Sequence, residues 1–80
     1  MNSSWPHTAV FRFACPYADV LHAVLAPEAG SDQGDRSRVL LSHDAEAVTL
    51  TVEAEDVSAL RASLNMWLRL VNVSKEILEL

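Results

Sequence analysis

The chain has 80 residues, half of them apolar, with eleven Asp and Glu against six Lys and Arg for a net charge of −5. A length this short gives one domain with a small core, and the acidic balance argues against a free-standing nucleic-acid binder, which is normally basic. A single cysteine excludes an intrachain disulfide, and no run is long and apolar enough for a membrane span.

The opening residues MNSSWPHTAV carry neither the charged nor the apolar region of a secretory signal. A cytoplasmic protein without membrane contact is therefore expected. Residues 1–6 read as an N-terminal tail ending at Pro6, and residues 7–80 as a single domain. From His7 to Ala14, HTAVFRFA alternates: Ala9, Phe11 and Phe13 on one face, Val10, Arg12 and Ala14 on the other. That period of two, with aromatic and branched residues, predicts a strand. Cys15-Pro16 opens the next element, and Tyr17, Val20, Leu21, Val24 and Leu25 follow the spacing of an amphipathic helix, which Pro27 is expected to stop.

The run from Glu28 to Asp35, EAGSDQGD, has no periodicity and reads as a loop. Arg36 to His43 predicts a second strand, with Val39 and Leu41 opposed to Arg36, Arg38 and Leu40. Ala47 to Ala54 predicts a third, in which Val48, Leu50 and Val52 alternate with Thr49, Thr51 and Glu53. A short acidic turn near Asp44 to Glu46 joins the two as a hairpin. Asp56 is a good N-cap for a final helix from Val57 to near Glu79. The expected fold is α+β: β-α-β-β-α, a three-stranded antiparallel sheet with two helices on one face. Neither sheet edge is blunted by Pro or Lys, so pairing with a second copy through the sheet is also expected.

The last helix carries more apolar surface than one sheet requires. On a helical wheel, Val57, Leu60, Leu64, Trp67, Leu68 and Val71 share one side, which is expected to pack on the sheet. Ala59, Ala62, Ser63, Met66, Leu70 and Val73 form a second stripe on the far flank. Packing on the first helix accounts for part of it, but that helix is short and has its own stripe to bury. The favoured reading is a partner interface with a helix of another chain, which the small residues would let approach closely.

No catalytic constellation is evident and no cofactor is called for. His7, His22 and His43 are far apart in sequence, so metal ligation by them is not expected, and the lone Cys15 reads as packing. Five of the six basic residues are Arg. Arg12, Arg36 and Arg38 are placed on the open sheet face, where ion pairs to Glu53 or Glu55 are the ordinary expectation. Arg61 and Arg69 lie two turns apart on the polar band of the last helix. The sharper reading makes Arg36, Arg38, Arg61 and Arg69 candidates for phosphate contact within a larger assembly.

Pro27-Glu28, Arg36-Ser37 and the pattern EAED-x-x-x-LRA-x-LN-x-x-LRL from Glu53 to Leu70 resemble the small dimerising subunit of the KEOPS complex, the Pcc/CTAG family. The similarity covers about residues 8–78, and the compact length resembles the archaeal form more than the longer animal members. The resemblance implies a homodimer that is not itself an enzyme. Such a subunit binds helices of the KEOPS catalytic tRNA threonylcarbamoyltransferase subunit, bridges two catalytic halves and assists tRNA binding. The complex places threonylcarbamoyl on the adenosine beside the anticodon of tRNAs reading codons that begin with A. A stand-alone RNA-binding module using the open sheet face is the alternative, and a homodimer with no nucleic-acid role is a third reading. The lack of aromatics among Arg12, Arg38, Thr49 and Thr51 counts against the RNA-binding module.

Overall fold

The computed structural model describes residues 5–31 and 36–79. Its elements are β1 (His7–Ala14), α1 (Ala18–Ser31), β2 (Ser37–His43), β3 (Ala47–Ala54) and α2 (Val57–Leu78). The predicted order and the antiparallel sheet are therefore present. The strands lie in the order β1-β3-β2, so β3 is central and β1 and β2 are the edges.

Register explains which side chains share a face. Phe13, Val48 and His43 lie opposite one another across the three strands, as do Phe11, Leu50 and Leu41, and Ala9, Val52 and Val39. These rows face the helices, because directly opposed residues of antiparallel strands point the same way. The core beneath the helices joins Leu21 and Leu25 of α1, Val48, Leu50 and Val52 of β3, and Trp67 and Val71 of α2. The opposite face carries Thr8, Glu53 and Arg38, then Val10, Thr51 and Leu40, then Arg12, Thr49 and Ser42.

The β2–β3 hairpin closes on the two residues Ala45 and Glu46. No described residue has a positive φ, so the turn does not use the left-handed residues common in two-residue hairpins. Asp44 supplies the alternative: its Oδ1 accepts from the backbone N–H of Glu46 at 2.8 Å and of Ala47 at 2.9 Å. Those amides, with Arg12 nearby, hold the Asp44 carboxyl below its ordinary range. The Cys15 N–H donates to the Glu46 carbonyl at 2.9 Å, fixing the end of β1 to the same turn.

Two expectations about α1 need correction. Pro27 does not stop the helix, which continues to Ser31. Pro27 and Ala23, whose carbonyl loses its helical partner, are both exposed, while Ala29 beyond them is buried in the core. Packing of that last turn thus offsets a defect that water can solvate. Val20 and Val24 are also not part of the buried stripe: they are 45% and 47% exposed, and Ala18, Leu21, Leu25 and Ala29 take the sheet-facing positions. Three strands give each helix room for one narrow stripe only.

Candidate interaction surfaces

The start of α2 is fixed by charge and capping together. Asp56 is the N-cap, and its Oδ1 accepts from the Ala59 N–H at 2.7 Å. Its other oxygen accepts from Arg36, whose Nε also donates to Glu55 at 3.1 Å. The Ala59 amide and then the Arg36 guanidinium hold Asp56 below the usual carboxylate range. From this anchor α2 runs 22 residues, about 33 Å. Near its far end the Tyr17 hydroxyl donates to Glu79, tying the end of α2 to the residue before α1. Desolvation, and then that carboxylate, push the phenol up to about 12.

The buried line of α2 is Ser63, Trp67, Val71 and Ser74. Leu60, Leu64, Leu70 and Leu78 are half-buried against the core. This rotates the sheet-facing side relative to the sequence expectation. Val57, expected on that side, is 52% exposed, whereas Ser63, placed on the partner stripe, is buried. Leu70, also placed on that stripe, packs on the domain's own core. Of the remaining partner-interface candidates, Ala62, Met66 and Val73 are exposed and Ala59 is half-buried. The sequence reading missed Ile77, which continues the line one turn beyond Val73 and is 62% exposed. The spacing Met66, Leu70, Val73, Ile77 was the available signal. Together with Val20 and Val24 on α1, these residues leave apolar surface on both helices.

Ala59, Ala62, Ser63 and Met66 also line a shallow groove with Arg36 and Ser37, about 310 Å³ in volume. The Ser63 Oγ is buried and has no hydrogen-bond partner. Small side chains at these positions let another backbone come near.

The arginine candidates divide into two kinds. Arg36 is held by Glu55 and Asp56, and Arg38 by Glu53. Arg12, on the same face, pairs with Asp44 at 3.1 Å. Each guanidinium of the sheet side therefore has a carboxylate beside it, as the ordinary reading expected, and the open face is not a bare cationic patch. Arg38 also lies over the Trp5 ring, 5.8 Å from its centroid, which draws the end of the tail onto this face. Arg61 and Arg69 are exposed on α2 and make no ion pair among the described residues.

Two edge strands, an uncovered sheet face and apolar helix flanks characterise this small α+β domain. The chain belongs to the Pcc1 family: the family model described as "Transcription factor Pcc1" matches residues 6–79. It is accordingly a KEOPS-type subunit, in a family associated with tRNA modification. No curated protein and no solved structure matches the chain.

Proposed function

We propose that this chain is a non-catalytic, homodimeric subunit that joins KEOPS catalytic subunits and assists tRNA binding for threonylcarbamoyladenosine formation. The observation that carries the proposal is the apolar surface left on α2 after its core is filled: Met66 is 45%, Val73 45% and Ile77 62% exposed. Scattered apolar residues need no explanation, but these follow a single helical line beside Leu70 and so suit a partner helix. The partner proposed for this line is the catalytic tRNA threonylcarbamoyltransferase subunit. The homodimer is assigned to the other side of the molecule, where Val10 and Leu40 are 61% and 49% exposed around Thr51 on the uncovered sheet.

Within the assembly, Arg61 and Arg69 are the better phosphate contacts, because Arg36 and Arg38 already lie beside carboxylates. The same pairing disfavours the stand-alone RNA-binding module, whose cationic groove needs free charge. Light scattering coupled to size exclusion, on the chain alone and mixed with the catalytic subunit, tests the reading. A dimer that enters a larger species with the catalytic subunit supports it. A monomer that ignores the catalytic subunit overturns it.

A further inference from the structure

The register of β2 and the packing of α1 bring together two histidines that are 21 positions apart in the chain. His43 lies opposite Val48, a helix-facing core position, and α1 packs chiefly on β2. His22, half-buried on α1, meets it there, with the ring centroids 4.5 Å apart and the planes tilted by 46°. Each ring also has one nitrogen against a backbone carbonyl. His22 Nε2 is 3.4 Å from the Leu41 oxygen, and His43 Nδ1 is 3.4 Å from the Asp44 oxygen.

A carbonyl only accepts, so the nitrogen facing it carries the proton in each neutral ring. The lone pairs are thereby left on His22 Nδ1 and His43 Nε2. An imidazole whose second nitrogen donates to a carbonyl is the usual arrangement of a metal-ligating histidine, because the donated bond fixes the tautomer and raises ligand basicity. Zinc–nitrogen bonds of about 2.0–2.1 Å put two imidazole nitrogens on one tetrahedral ion roughly 3.4 Å apart. Ring centroids 4.5 Å apart place the two imidazoles within range of one shared ion, and His43 is exposed to solvent. The nearest carboxylate in sequence, Asp44, is engaged by Arg12 and two backbone amides. No group of three or more potential ligands exists among the described residues, so the protein would supply two ligands and water the others.

We infer that His22 and His43 form a two-histidine site for a nitrogen-preferring divalent cation such as Zn²⁺, clamping α1 to β2 independently of the partner-binding role. Imidazole suits zinc and its neighbours, and oxygen-seeking Mg²⁺ has nothing to prefer here. An ion held by the folded chain alone raises its melting temperature.

The test is calorimetric titration of the full, tag-free chain with Zn²⁺ near neutral pH, with Mg²⁺ as the control ion. The expected result is one Zn²⁺ per chain, a rise in melting temperature, and loss of both effects in His22→Gln and in His43→Gln. The variant His7→Gln keeps them. Circular dichroism establishes that each variant is folded, and the exposed His43 provides the safer substitution. Proton–nitrogen NMR of the imidazoles should show both His22 and His43 shifting on addition of Zn²⁺. Absence of binding by the parent chain, or binding unchanged in folded His43→Gln, overturns the assignment.

Discussion

At the scale of single residues, Asp56 and Ser63 make opposite contributions. Asp56 caps α2 and holds Arg36, so Asp56→Ala should lower the melting temperature. Asp56→Asn should keep most of the cap while losing the charge pair. The folded-state pKa of Asp56 is depressed, so its electrostatic contribution is full above the ordinary carboxylate value of 3.8 and fades as pH falls through the lower folded value. Asp44 behaves the same way for the hairpin. Acid melts of the parent chain and Asp56→Asn should therefore converge as the pH drops, and parallel curves would remove Asp56 from this role. Ser63 is a buried hydroxyl without a partner, and such a group costs about 1–3 kcal/mol. Ser63→Ala should leave stability unchanged or raise it in thermal denaturation; a clear drop would reveal a hydrogen bond to that hydroxyl.

At the scale of elements, neighbouring positions on α2 separate folding from binding. Trp67 is fully buried, and Trp67→Ala should cost about 3–5 kcal/mol, a large part of the roughly 5–10 kcal/mol expected for a small domain. Met66 and Val73 are exposed, so Met66→Asp and Val73→Asp should preserve helicity yet abolish co-elution with the catalytic subunit. Equal loss of helicity in Met66→Asp and Trp67→Ala would refute that division. Leu70 is unsuited to the comparison, because its side chain already packs on the core. The limits of sequence reading lie in the same elements. β1 and β3 were legible because strict alternation leaves one choice of face. The phase of α2 was harder: apolar residues surround most of the helix, so the wheel alone could not say that Ser63 faces inward and Val57 outward. Pro27 misled for a related reason, since a local penalty says nothing about the burial of Ala29 two residues later. The meeting of His22 with His43 was out of reach, being set by strand register and helix placement across distant segments.

At the scale of the whole molecule, the helices cover one sheet face and leave the other to solvent or to a second copy. If two copies meet through that face, Val10→Glu with Leu40→Glu should convert a dimer to a monomer on size exclusion without loss of secondary structure. A dimer that survives both substitutions would point to pairing along a strand edge instead. The two sides of the domain can also be followed by light. Trp67 lies inside the core and Trp5 lies against Arg38 on the uncovered face. The chain thus contains a built-in pair of fluorophores: Trp5→Phe leaves an emission that reports only on the interior, and the difference from the parent spectrum reports on the outer surface, with no dye attached.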